Sequence, residues 1–339
     1  MEQEFFVNPE SQEQLYFYLI QAWFEAGLFE RIVEEWQNYL PLLEKMTFPG
    51  DRQRAIRFYL ESALHLKRLT GKDEHWIKQA FDENSPQALL AASVLTHYLH
   101  KFSLADSYYL KALDLGETGD HQAKQLFLQR RETTISHFIK ALAIDEKEKA
   151  RLEKILSKHP KVNWTDALGH SQIISKTTLV KELKQYARSS HQVVLIGGWI
   201  GLIAYLMERE EIPFAKVLNL ELDPTATVAS LDFNQRLYEQ GLYRAEVQDA
   251  LNYAFEEPHL IVVNTSCEHL ADYQRWLAQI PMGTLCFLQS NNMFELEEHV
   301  NCHQNLDEFK LSCGLSEIFS ADVVELGYGQ QRFTVIGKR

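Results

Sequence analysis

The sequence predicts a two-domain α/β chain, with an all-helical domain over residues 1–160 followed by a doubly wound, seven-stranded sheet over residues 161–339. Three observations predict it. The 339 residues exceed the roughly 100–200 of a typical domain, so two cores are expected. From Ser11 to about Leu156 the apolar residues recur at helical spacing and proline is scarce. From Val193 onward short β-branched runs alternate with helical stretches, the pattern of βαβ units on a parallel sheet.

In the helical half, turn-forming residues interrupt the period at Phe48-Pro49-Gly50-Asp51, Gly71-Lys72-Asp73, Asn84-Ser85-Pro86 and Gly116-Glu117-Thr118-Gly119-Asp120. The stretches Gln21–Trp36, Glu61–Phe81 and Ala92–Leu113 share one theme: a helix ends, a short polar turn follows, and an amphipathic helix returns. Such units stack because none can bury its apolar face alone. The last, with Ala105, Tyr109 and Ala112 along its second helix, is similar to a tetratricopeptide repeat, although Lys101-Phe102-Ser103 stands where the repeat has its turn glycine. Repeats of this kind bind peptides or proteins, so a protein partner is one expectation for this half and a plain packed bundle is the other.

In the second half, strands are expected at Val193–Ile196, Val217–Leu222, Tyr243–Val247, Leu260–Asn264 and Thr284–Gln289. Two further runs, Ser320–Glu325 and Arg332–Gly337, are joined by the short turn at Gly327–Gln331 and must pair antiparallel. Five parallel strands ending in a hairpin make a doubly wound sheet with a modified edge. Residues Lys158–Val162 are the expected joint between domains, and Asn163–Ala187 reads as a loop and a helix leading into the first strand.

The formal charge is −13 and both halves are net acidic, which argues against a nucleic-acid partner. Four cysteines, all in the C-terminal part, are too few for a secreted disulfide framework. The acidic start MEQEFFVNPE is unlike a signal peptide, and the longest apolar run, Val193–Met207, is short for a membrane span and carries three glycines. A cytoplasmic protein with no membrane partner is the expectation.

Ligands of open α/β sheets lie beyond the carboxyl ends of the strands, where strand order reverses. After the first strand comes Gly197-Gly198-Trp199-Ile200-Gly201, a loop that lets backbone approach a ligand. After the second come Glu221 and Asp223; Glu221 follows Gly201 by 20 residues, the spacing at which an acid accepts hydrogen bonds from a ribose diol. Asp249 follows the third strand, where a carboxylate suits an adenine amine. Asn264-Thr265-Ser266-Cys267-Glu268-His269 follows the fourth, and Gln289-Ser290-Asn291-Asn292 the fifth. Nicotinamide cofactors share the ribose acid, but the GxGxxG spacing that binds pyrophosphate is absent.

With these segments the second half, about Asn163–Arg339, resembles the class I S-adenosylmethionine-dependent methyltransferases, a Rossmann-like family whose seventh strand is inserted antiparallel. It looks closer still to a narrow branch with similar segments at His170–Lys176, Gly197–Gly201, Glu221–Pro224, Asn264–His269 and Gln289–Asn292. The resemblance implies S-adenosylmethionine as cofactor. It places Gly197, Gly198 and Gly201 along the methionine part, Glu221 on the ribose, Asp249 on the adenine and Asn264 beside the sulfonium, with Trp199, Asp223 and Thr265 in the same pocket. Gln172, Ser175 and Lys176 would close the pocket, Lys176 toward the carboxylate. Trp199 replaces the third glycine of the usual loop, and Glu221 stands where the branch has Asp.

For the acceptor, His269 is the candidate base, with Glu268 as its orienting partner or as a ligand for a substrate amine, and Asn264 beside the reacting centre. The alternative is that this segment starts a helix, with Thr265 or Ser266 capping it and His269 bonded internally. Cys267, His269, His299, Cys302 and His303 offer metal-ligand chemistry, but their spacings match no zinc module, and no metal is expected. Tyr205, Tyr253 and Trp276 read as core or rim and not as a cage for a cation. The leading function is methyl transfer to a small-molecule, peptide or carrier-bound substrate. The alternatives are other alkyl transfers or cyclisation of the cofactor, releasing methylthioadenosine, and a non-catalytic helical-repeat interaction protein.

Overall fold

The computed structural model describes residues 12–339, apart from residues 44, 47–48, 82–84, 117–120, 257, 295, 297 and 328. Of the expected turns, Phe48, Asn84, residues 117–120 and Tyr328 therefore lie outside the described residues, as does the acidic start of the chain. The chain divides into two units between Thr133 and Thr134.

The first unit contains α1 (Gln12–Glu25), α2 (Phe29–Leu43), α3 (Pro49–His65), α4 (Glu74–Ala80), α5 (Pro86–Tyr98), α6 (Phe102–Asp114) and the start of α7 (His121–Ala141). Ile20, Ile32, Trp36, Ile56 and Leu60 form its core, and the Trp36 ring stacks on Tyr59 with centroids 4.2 Å apart. The buried Asp73 carboxylate is satisfied by the Tyr59 hydroxyl at 2.6 Å and by the Thr70 amide and hydroxyl. Each expected helix–turn–helix stretch contains a left-handed residue at its turn: Gly27, Lys67 and His100. His100, with φ of 58°, takes the conformation that a turn glycine would otherwise supply. Behind it Ala92 and Ala105 are fully buried, and Ser93 Oγ donates to the Ala105 carbonyl at 2.7 Å, so α5 and α6 lie close.

The second unit takes the rest of α7, then α8 (Glu146–Lys158), α9 (Trp164–Ala167), α10 (His170–Tyr186), β1 (Gln192–Ile196), α11 (Leu202–Arg209), β2 (Lys216–Glu221), α12 (Pro224–Phe233), α13 (Gln235–Glu239), β3 (Tyr243–Val247), β4 (Leu260–Asn264), α14 (Tyr273–Gln279), β5 (Leu285–Asn291), α15 (Leu306–Ser312), β6 (Glu317–Gly327) and β7 (Gln330–Lys338). The division precedes the joint expected at Lys158–Val162. Phe138, Leu152, Ile155 and Leu156 share one core with the sheet residues Val193, Val217 and Ile261, and Arg151 donates to the Asp232 and Phe233 carbonyls at the end of α12.

The sheet has the order β3-β2-β1-β4-β5-β7-β6. β1 to β5 pair in parallel, and β7 runs antiparallel to both β5 and β6. Seven strands with an antiparallel seventh are what the resemblance implied. Both faces are covered: Val193 and Leu195 enter one core while Val194 and Ile196 enter the other, packed with Trp276 and Phe309. Strands β3 and β4 begin and end where expected. β5 runs on to Asn291 because β7 pairs with it up to the Asn291–Arg332 register, so Gln289, Ser290 and Asn291 lie within the strand and not after it. Strand order reverses between β1 and β4, which places a crevice at their carboxyl ends.

Candidate functional site

A cleft of about 370 Å³ opens at these carboxyl ends. It is lined by Ile196, Gly197 and Trp199 after β1, Leu220 to Asp223 at the end of β2, Gln248 to Ala250 after β3, Ser266, His269 and Leu270 after β4, and Asp166 from α9. Four of these residues are carboxylates and none is Lys or Arg, so the cleft favours a cation over an anion.

Two alternate residues of β2 hold the loop after β1. Asn219 Nδ2 donates to the Trp199 carbonyl at 3.0 Å, and Glu221 Oε2 accepts from the Trp199 amide at 2.8 Å. Glu221 Oε1 accepts from the Leu222 and Asp223 amides at 2.8 and 3.1 Å. Trp199 itself has φ of 50°, a left-handed conformation that costs a non-glycine residue about 1–2 kcal/mol and that these bonds impose.

The loop glycines divide by role. Gly197, with φ of 55°, faces the cleft beside Ser266. Gly198 and Gly201 do not line it. A Cβ on Gly198 would collide with Asn219, and one on Gly201 with Tyr243 and Asn234, so packing requires glycine there. Asp223 caps α12 through the Thr225 amide at 2.7 Å, and Asp249 accepts from the Leu251 amide at 2.9 Å, each keeping free acceptor capacity toward the cleft.

Gln172, Ser175, Lys176, Asn264, Thr265 and Glu268 do not line the cleft. Ser175 Oγ donates to Gln289 Oε1 at 3.0 Å, tying α10 to β5. Lys176 is buried, and burial, followed by the Arg332 charge, pushes it down to about 8 against the opposing charges of Asp166, Glu268 and Glu221. Asn264 Oδ1 accepts from the Ser266 amide at 2.8 Å, while its Nδ2 is buried without a partner.

After β4 the chain makes a single 3₁₀ turn, Cys267–His269, and no longer helix; neither Thr265 nor Ser266 caps it. Glu268 is not hydrogen-bonded to His269. Its Oε1 accepts from Arg332 Nη1 at 2.6 Å and from Asn291 Nδ2 at 2.8 Å, and the Glu298 carbonyl, 3.1 Å from Nδ1, orients His269 instead. Of the five residues with metal-ligand chemistry, Cys267 is fully buried with its thiol toward the Asn264 carbonyl, and the His303 ring meets Ser290 Oγ. Burial pushes the His299 imidazole below its ordinary value. Tyr205 and Trp276 are core residues, and Tyr253 packs edge-on to Phe255.

The cleft thus brings together Gly197, Trp199, Glu221, Asp223, Asp249 and His269. Sequence reasoning missed Asp166, because nothing local in Asn163–Ala187 marks it, and Arg332, whose place depends on the β5–β7 register.

No protein-family model and no curated protein matches the chain. Solved structures similar to it include the YcgJ protein from Bacillus subtilis, at 10% identity over 48% of this chain and 98% of that one, with a TM-score of 0.39. Another is geranyl diphosphate C-methyltransferase from Streptomyces coelicolor A3(2), crystallised with S-adenosyl-L-homocysteine, at 12% identity over 51% and 81%, with a TM-score of 0.41. The N-methyltransferase NodS from Bradyrhizobium japonicum WM9 is similar at 8% identity over 50% and 97%, with a TM-score of 0.40.

Proposed function

We propose that the second unit, whose strand order and antiparallel β7 are those of the class I methyltransferase fold, binds S-adenosylmethionine in this cleft. We further propose that it transfers the methyl group to a small-molecule, peptide or carrier-bound acceptor. The observation that carries this reading is the carboxylate-lined cleft at the switch point, with Glu221 held at the end of β2.

The residues present fit that ligand. Glu221 Oε2 takes one N–H and retains acceptor capacity for ribose hydroxyls, Asp249 faces the adenine end, and Leu222 and Ala250 offer apolar cover. The acidic lining suits a sulfonium and repels the pyrophosphate of a dinucleotide. When bound, the cofactor supplies an electrophilic methyl carbon. The chain positions the acceptor and excludes water. With its Nδ1 proton on the Glu298 carbonyl, the exposed His269 keeps a lone pair on Nε2, able to take an acceptor's proton at the cleft edge.

The test is calorimetric titration of the protein and its Glu221→Ala variant with S-adenosylhomocysteine. Loss of a charge-assisted acceptor should weaken binding by about 10–100-fold. Equal affinities in two folded proteins would remove the ribose assignment. Mass spectrometry of turnover products separates methyl transfer, which leaves S-adenosylhomocysteine, from reactions that leave methylthioadenosine.

A further inference from the structure

Beside the cleft, the turn after β4 and the loop after β5 bring a carboxylate and two imidazoles together. Glu268, His269 and His299 each offer one ligand atom, and these lie within 4.8 Å of one another. The two rings meet edge to face with centroids 4.6 Å apart. We infer that these three residues hold a divalent transition-metal ion at the rim of the cleft, with open positions for an oxygen, nitrogen or sulfur atom of the acceptor.

The hydrogen bonds around the three side chains prepare each of them for that task. Glu268 is 2% exposed, and its Oε1 is occupied by Arg332 and Asn291, yet its Oε2 is buried with no hydrogen-bond partner. A carboxylate oxygen left in that state loses its hydration with nothing in return, a cost that a bound cation removes. His269 Nδ1 meets the Glu298 carbonyl at 3.1 Å and His299 Nδ1 meets Asn291 Oδ1 at 3.2 Å. A proton on Nδ1 satisfies both contacts and leaves the Nε2 lone pair of each ring available, the arrangement that outer hydrogen bonds impose on metal-binding histidines.

Asn291 organises the group. Its Nδ2 donates to Glu268 while its Oδ1 accepts from the Met293 amide and faces His299, so one amide orients two of the three ligands. The chain two residues past His299 is anchored as well: the Asn301 amide donates to the Glu268 carbonyl and Asn301 Nδ2 to the Cys267 carbonyl, at 2.9 and 3.1 Å. Ligand atoms about 2.1 Å from one ion stand roughly 3–3.5 Å apart, so the group closes by about an ångström on binding, which the exposed His269 can supply by rotation. Two imidazoles and one carboxylate with open positions suit Zn²⁺, Fe²⁺, Mn²⁺ or Co²⁺ better than Ca²⁺ or Mg²⁺.

An ion on His269 Nε2 takes the lone pair that would otherwise accept a proton, so it replaces that base, and its acceptor role rests on the proposed transfer reaction. Metal binding itself does not rest on that reading, and its test uses no cofactor. Metal-stripped full-length protein is titrated with Co²⁺, read by visible absorption, and with Zn²⁺, read by calorimetry. One equivalent should bind, with tenfold or greater weakening in His269→Ala and in His299→Ala. His303→Ala, which removes a neighbouring imidazole bonded to Ser290, should bind as the parent does. His269 is exposed, so its loss leaves the fold intact. Absence of stoichiometric binding by the parent protein, or unchanged binding in both His269→Ala and His299→Ala, would overturn the inference.

Discussion

Three acceptor positions on the Glu221 carboxylate are taken by amides of its own chain, so this residue both shapes the Trp199 loop and faces the cleft. Lys176 presents a different case, a buried side chain for which the charges of Asp166, Glu268 and Glu221 do not offset desolvation and the Arg332 charge. Its folded pKa of about 8 lies below the ordinary 10.5, so the unfolded chain binds more protons between those values and stability rises with pH across that window. Below about pH 8 both states are protonated, and the folded state carries the full desolvation cost. Lys176→Met should therefore raise stability at pH 7 by a few kcal/mol, with a smaller gain at pH 9.5, measured by urea unfolding of both proteins at the two pH values. A gain that is equal at both pH values would contradict a depressed Lys176.

At the scale of elements, the β1–α11 turn is held by packing against β2, β3 and Asn234. Gly201→Ala should destabilise by about 2–4 kcal/mol, since its Cβ meets Tyr243 and Asn234 and its φ is 69°. Gly241→Ala, with φ of 72° in open space, should cost about 1 kcal/mol. Denaturant unfolding distinguishes the two, and equal losses would show that strain alone, without collision, sets the cost.

The same comparison shows what local pattern reveals. The buried strands read clearly because QVVLI and LIVVN have apolar residues on both faces and turn residues at their ends. Glu221 and Asp249 were legible because they stand at the carboxyl ends of strands, Glu221 as the last residue of β2 and Asp249 two residues past β3. The length of β5 was not, because its polar end Gln289-Ser290-Asn291 looks like a loop until β7 supplies its backbone partners. The same register sets Arg332 opposite Asn291 and against Glu268, a relation between residues 64 positions apart that no spacing rule contains.

For the whole molecule, the division between Thr133 and Thr134 leaves the sheet, α8 and α10 around cores of their own. Residues 134–339 expressed alone should fold and unfold in one cooperative thermal transition, followed by near-ultraviolet circular dichroism. A non-cooperative melt would mean that this unit does not carry its own stability. Among the described residues no helix is long and apolar enough to cross a membrane.

The central claim is that the carboxylate-lined cleft beyond β1 to β4 is the cofactor site. A crystal structure of the protein with S-adenosylhomocysteine tests it most directly. The ligand should lie in this cleft with its ribose hydroxyls on Glu221 and its adenine toward Asp249. Density for the nucleoside elsewhere, or an empty cleft at saturating ligand, would contradict the account.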